Sequence, residues 1–263
     1  MTLIDIGVNL TNRAFDSDRE AVVQRAFDAG VLRLVITGTN ENSSRAAAFY
    51  AARAPGSLYS TAGVHPHDAK SCTPQTMDAL REIAAAGCVI AIGECGLDYN
   101  RDFSPRDVQR TWFIKQLQLA IDLGKPVFLH ERDAFEDFAA ILKEHIGALK
   151  GAVVHCFTGS EKELEVYLDI GCYIGITGWI CDPRRGGDLT RLVKEIPGDR
   201  LMLETDAPYL LPKDLPRSGK SGRNESAFLV HIARAVARFT GKDLEGLAAE
   251  TYANSCRFFG IQA

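Results

Sequence analysis

Several segments of this 263-residue chain end in side chains that can hold a metal ion. CVIAIGE ends at Glu94, KPVFLH at His130, AVVH at His155 and LMLETD at Asp206. LYSTAGVH adds His65. Imidazole nitrogens and carboxylate oxygens in one place suit a divalent cation that activates water for hydrolysis. Each residue also has an ordinary reading. A carboxylate after a strand often caps the next helix, and a strand-end histidine is often a packed core residue. Two histidines closing consecutive strands are harder to assign to packing. Gly93 and Gly96 flank Glu94 in GECGLD and read as room left for a ligand. Strand alternation puts Glu204 and Asp206 on one side, with Glu204 as a buried partner and Asp206 at the rim.

In GVHPHDA, Pro66 fixes the backbone between His65 and His67. His65, nearer the strand, is the expected site residue, and His67 is assigned to the loop. His145 and His231 fall within helical patterns and read as structural or surface residues. Asp98 and Arg132 sit just past strand ends. A guanidinium there can grip phosphate oxygens in pairs, or simply bridge to Asp133 or Glu136. Cys95 and Cys156 are alternative nucleophiles, with packing the plainer reading. Nucleophile elbow, P-loop, HExxH and dinucleotide fingerprint are all missing from the sequence.

The elements that must position these residues alternate along the whole chain. Strand-like runs cover Leu3–Val8, Leu32–Gly38, Leu58–Val64, Cys88–Glu94, Pro126–His130, Ala152–Cys156, Cys172–Thr177 and Leu201–Thr205. Helical stripes lie between and after them, as in Phe113, Leu117, Ala120 and Ile121, and in Phe228, Ile232, Ala235, Val236 and Phe239. Alternation implies parallel strands with helical crossovers. Runs apolar on both faces, such as Val127–Leu129, fit a covered parallel sheet. Gly30, Gly87, Gly124, Gly151 and Gly171 each precede a strand, where glycine ends a helix. The expected fold is an α/β (β/α)8 TIM barrel formed as a single domain by residues 1–263, with an open doubly wound sheet as the alternative. Active sites of such barrels lie at the C-terminal strand ends, where all five metal-suited residues fall.

Composition narrows the partners. The chain is 46% hydrophobic and 24% charged, which fits a globular soluble protein. It has no long apolar run and no leader at its start, so no membrane partner and a cytoplasmic location are expected. Seven cysteines without a CxxC pair fit reduced thiols. A net charge of −4 disfavours a strong duplex binder. Local basic stretches remain: Arg184 with Arg185, and Lys213, Arg217, Lys220 and Arg223 after the last strand. These charges, with Trp179 and Tyr209 as stacking platforms, could track a single strand, or be solvated charge and ordinary packing.

Six motifs in order, GVHPH, GECGLD, HERDA, HCFTG, ETDAPYL and RNES, resemble the TatD family of metal-dependent deoxyribonucleases across nearly the whole chain. DIGVNLT and GITGW set it apart from close paralogues. The resemblance implies a 3′-to-5′ exonuclease on single-stranded DNA, with RNA as an alternative substrate and a role in DNA repair. It implies Glu94, His130 and His155 as metal ligands and Asp206 as a ligand or the base for water. It further implies His65 near the scissile phosphate, and Arg132, Arg223 and Asn224 on the substrate backbone. One departure stands out. Most of the family opens with Asp-x-His-x-His, whose histidines bind metal, whereas here the strand reads Asp5-Ile6-Gly7-Val8-Asn9. One metal position should therefore be weak, leaving an oxygen-rich site for Mg²⁺, with Mn²⁺ the alternative. A monomer is expected. Competing readings are an amidohydrolase or aminoacyl-tRNA deacylase on the same barrel, and a weakened nucleic-acid binding factor.

Overall fold

A computed structural model describes residues 1–184, 186–215 and 222–262. Arg185, Arg217 and Lys220, counted above among the basic residues, lie outside the described residues. Eight strands are ordered β1 to β8 in one sheet: β1 Leu3–Val8, β2 Val31–Ile36, β3 Leu58–Ala62, β4 Val89–Asp98, β5 Val127–Arg132, β6 Ala152–Val154, β7 Tyr173–Ile176 and β8 Leu201–Leu203. The pairings β3–β4, β4–β5, β5–β6 and β7–β8 are parallel. A parallel bridge from Val8 to Ala207 joins the first strand to the segment after the last, making a nearly closed barrel. The helices α1 Arg19–Asp28, α2 Glu41–Ala51, α3 Pro74–Ala84, α4 Arg106–Leu123, α5 Phe135–His145, α6 Glu161–Asp169, α7 Gly187–Leu192, α8 Leu229–Thr240 and α9 Leu244–Phe259 alternate with or follow the strands. This is the expected (β/α)8 architecture. Among the described residues, no helix is long and apolar enough to cross a membrane.

The predicted stripes are the buried faces. Phe113, Leu117 and Ala120 are buried on α4, and Ile232, Ala235 and Val236 on α8. Gly30, Gly124 and Gly171 adopt the left-handed backbone expected after a helix, whereas Gly87 and Gly151 do not. The larger correction concerns β4. It does not stop at Glu94 but continues to Asp98 through a shift in its pairing between Ile92 and Cys95. Asp98 and Arg132 are thus paired strand residues and do not lie past the ends.

Contacts divide the chain into two compact units, one of Met1–Val35, Cys156–Leu164 and Ile174–Ala263, the other of Ile36–His155 and Glu165–Tyr173. In the first, the barrel closure is polar. Asp5 on β1 is fully buried and accepts hydrogen bonds from the Thr205 backbone N–H at 2.9 Å and the Thr205 hydroxyl at 2.6 Å. Gly7 O accepts from Asp206 N at 2.8 Å, and Asn9 N donates to Ala207 O at 2.7 Å. In the second, α4 carries two buried glutamines, Gln109 and Gln116. Gln116 bonds both the N–H and the C=O of Val64, and Gln109 bonds both those of Asp98. One helix thus clamps the segments that carry His65 and Asp98.

Burial, only partly offset by the Thr205 hydrogen bonds, pushes the Asp5 carboxyl from 3.8 up to about 7. The folded chain then holds a proton that the unfolded chain releases. Stability accordingly falls as pH rises from the ordinary carboxyl range to about 7 and levels off above it. A shift of that size is worth roughly 4 kcal/mol. Asp5→Asn keeps the acceptor and removes the titration. Urea midpoints measured from pH 4 to 8 should show the variant gaining on the parent as pH rises; parallel curves would show that Asp5 does not titrate in this window.

Candidate active site

In the second unit, β3, β4, β5 and β6 bring four imidazoles to two carboxylates. Glu94 Oε1 is the focus: His155 Nε2 lies 2.8 Å away, His130 Nδ1 3.1 Å and His65 Nε2 3.4 Å. Beside it, Asp98 Oδ2 is 2.7 Å from His67 Nε2 and 3.4 Å from His130 Nε2. Both carboxylates are buried, Glu94 at 5% exposure and Asp98 at 1%. Of the five metal-suited residues, Glu94, His65, His130 and His155 come together in this unit. The expectation that only one histidine of GVHPH faces the site is not met, because the His65 and His67 rings stack edge to face at 4.2 Å and each meets a carboxylate. His67 and Asp98 are the residues that sequence reasoning placed outside the site. The available signal was GECGLD itself, had its glycines been read as bends within a strand.

Those glycines do not leave room for a ligand. Gly93 has φ +130°, and a Cβ there would lie 2.1 Å from Phe128 O. Gly96 has φ +146°, and a Cβ there would lie 1.8 Å from His130 O. The space is filled by the backbone of β5. Only glycine lets β4 bend this closely against β5, and the bend delivers Glu94 and Asp98 to the same histidines.

The electrostatics follow from crowding. Burial alone would raise the Glu94 carboxyl, but attraction to His155 and His65 and hydrogen bonds from His130 and His155 hold it well below the usual range. Burial likewise opposes ionisation of Asp98, yet His130, the Arg101 N–H and His67 carry it below its ordinary value. Burial disfavours a charged His130, but Asp98 and Glu94 outweigh it and raise its pKa. His65 moves the other way, because burial dominates the pull of Glu94. The His67 N–H donates to His65 Nδ1 at 3.1 Å. A neutral His65 therefore carries its proton on Nε2, aimed at Glu94.

These residues fit a cation. Ligand atoms of His65, Glu94 and His130 lie within 4.8 Å of one another. One carboxylate oxygen cannot satisfy three imidazoles, and His130 Nε2, 3.4 Å from Asp98 Oδ2, makes no well-formed hydrogen bond. The His65 tautomer points away from ligation, since the nitrogen facing Glu94 holds the proton.

In the first unit, Asp206 follows β8 with φ 54°, and its Oδ1 accepts from Asn9 Nδ2 at 2.8 Å. Asp206 is half-buried, whereas Glu204 is fully buried and accepts from Cys156 N, as the alternation implied. Arg223 and Asn224 have tasks other than the expected hold on substrate. Arg223 forms a paired contact with Asp18 at 2.8 Å for each bond and also donates to Glu225 and Ala14 O. Asn224 is fully buried, and its amide donates to the carbonyls of Thr205 at 2.9 Å and Tyr209 at 2.7 Å. It braces the turn that carries Asp206. Arg132 is exposed and makes neither of the bridges considered for it among the described residues. Burial raises the Cys95 thiol, so it packs rather than attacks.

The first unit also contains a cavity of about 260 Å³ lined by Gly178, Trp179, Asp182, Tyr209, Leu211 and Lys213, among others. Both aromatics singled out in the sequence stand in its wall.

A barrel with histidines and carboxylates at its C-terminal strand ends defines a hydrolase-type site. Residues 4–260 match the family described as TatD related DNase, and the chain belongs to that family. It is 51% identical over 261 residues to the 3′-5′ ssDNA/RNA exonuclease TatD of Rahnella sp., covering 99% of each chain. It is 51% identical to the protein of that name from Escherichia coli K12, covering 98% of this chain and 99% of the relative. Among solved structures, the TatD homolog YJJV from Escherichia coli is 28% identical with a TM-score of 0.88, covering 99% of this chain and 98% of its own.

Gly96→Ala should cost at least about 3 kcal/mol in urea unfolding, from strain and collision with β5. Gly147→Ala, with nothing within 4 Å of the added Cβ, should change stability by no more than about 0.5 kcal/mol. Equal effects would show that the close approach of β4 to β5 does not constrain the site.

Proposed function

We infer that this chain is a metal-dependent 3′-to-5′ exonuclease that hydrolyses phosphodiester bonds of single-stranded DNA, and of RNA. The observation that carries the reading is the convergence of three imidazoles on buried Glu94 in a member of this family. The names of full-length relatives support the direction of digestion and the substrate.

Glu94, His130 and His155 would hold the ion, proposed as Mg²⁺, with Mn²⁺ the alternative more tolerant of imidazole donors. When bound, such an ion polarises the phosphate and makes water a better nucleophile. The protein's own groups do the rest. His65, kept neutral by burial, carries its Nε2–H toward Glu94, 3.4 Å away, beside the position proposed for the scissile phosphate. Asp98 orients His67 and His130. Asp206, whose Oδ1 accepts from Asn9 Nδ2 at 2.8 Å, is the proposed base for the attacking water. The exposed Arg132 guanidinium suits bidentate contact with a backbone phosphate. The cavity walled by Trp179 and Tyr209 suits a stacked base, with Lys213 beside it for charge. The fold is proposed to act as one barrel over residues 1–263.

Purified protein with a 5′-labelled single-stranded oligonucleotide should give a ladder shortening from the 3′ end with Mg²⁺ and none with EDTA. Glu94→Ala should remove the ladder while retaining a folded circular dichroism spectrum. Asp206→Asn should lower kcat by about 10²–10⁴-fold. A folded protein that gives no ladder with Mg²⁺ or Mn²⁺ would end this reading and favour an ester or amide substrate.

A further inference from the structure

We propose that Cys181, Asp214 and His231, all in the first unit, form a second metal site suited to Zn²⁺, built from residues other than the histidine–carboxylate cluster. The sulfur, a carboxylate oxygen and an imidazole nitrogen of these residues all lie within 4.8 Å of one another. His231 Nε2 stands 2.7 Å from Asp214 Oδ1. The three come from separate elements: Cys181 ends the short helical turn Gly178–Cys181, Asp214 follows β8, and His231 lies in the first turn of α8. Residues this far apart in sequence meet at one point only through the fold.

The donor set selects the ion. One thiolate, one imidazole and one carboxylate suit Zn²⁺, and three protein ligands leave a fourth position for water. Cys181 is 4% exposed, while Asp214 and His231 reach the surface at 39% and 24% of their side chains, which leaves an entry path. Asp214 and His231 line a depression that also holds Arg234 and Arg238. Thiolate and carboxylate together contribute two negative charges, which a divalent ion neutralises despite those arginines. A cysteine nucleophile is the poorer use of this geometry, since burial first, then Asp214, pushes the thiol up to about 12. Metal binding replaces that proton.

The site has a structural consequence. The cavity of Trp179 and Tyr209 has two walls, one from Gly178 and Trp179 and one from Pro208 to Lys213. Cys181 belongs to the turn forming the first wall, and Asp214 directly follows the second. An ion shared by Cys181, Asp214 and His231 ties both walls to α8. It sets the width of the cavity proposed for a substrate base while lying outside the histidine–carboxylate cluster.

The test uses full-length protein stripped with a chelator and titrated with Co²⁺, which reports thiolate ligation by a charge-transfer band in the near ultraviolet. The parent and Glu94→Ala should both develop the band, since the histidine–carboxylate cluster is not its source. Cys181→Ser should lose the band and one equivalent of bound ion by elemental analysis. Asp214→Asn and His231→Gln, both at partly exposed positions, should weaken binding roughly ten-fold or more, and they carry the test if Cys181→Ser misfolds. Absence of the band in the parent at saturating Co²⁺ overturns the proposal, as does its persistence in folded Cys181→Ser. Loss of the band in Glu94→Ala, with circular dichroism unchanged, would assign the ion to the cluster and overturn it as well. Because the readout is spectroscopic, it stands or falls separately from exonuclease activity.

Discussion

The second unit depends on one electrostatic problem: a buried carboxylate faced by three imidazoles. Glu94 cannot donate, and its Oε1 cannot satisfy every nitrogen aimed at it. The rings of His65 and His130 lie 4.4 Å apart and those of His130 and His155 5.7 Å apart, so they cannot all be protonated without repulsion. The structure separates their tasks. His130, with carboxylates on both sides, is the one drawn toward the charged state. His65 is held neutral and oriented by the His67 amide. A cation among these groups would relieve the crowding, and for that reason the cluster reads as a ligand set and not as a packed core. Buried charges of this kind stabilise poorly unless fully compensated.

Keeping such a cluster in place falls to groups that do no chemistry. The β4 bend needs two glycines because the β5 backbone passes where a Cβ would be. Gln109 and Gln116 on α4 fasten the segments carrying Asp98 and His65 by using both donor and acceptor of each amide. A helix face that reads as apolar by its spacing thus contains two polar clamps. Each satisfies backbone groups that would otherwise be buried without partners, which is costly.

The first unit solves a different problem. Asp5 and Gly7 lie in β1 and Asn9 directly after it, and all three engage the segment that follows β8. Gly7 contributes a backbone carbonyl, and Asn9 contributes a neutral amide to Asp206. The slot stays polar and ordered without adding nitrogen ligands. Arg223 and Asn224 belong to the same closure. In this structure they brace the Asp206 turn and α1.

The sequence alone determined the alternation of strands and helices, because hydrophobic periodicity is local and buried faces are mainly apolar. It also pointed to Glu94, His130, His155 and Asp206 as residues of the C-terminal half of their strands or just beyond, the side on which a barrel places its site. The assignments that depended on a single short motif went differently. GECGLD looked like a strand end with space beside it, but whether a glycine marks a terminus, a cavity or a close approach depends on what packs against it, here β5. His67 and Asp98 gained their roles from that bend. The partners of Arg223 and Asn224, and the meeting of Cys181, Asp214 and His231, arise between residues distant in the chain. Such contacts carry no local periodicity, so only the tertiary structure decides them.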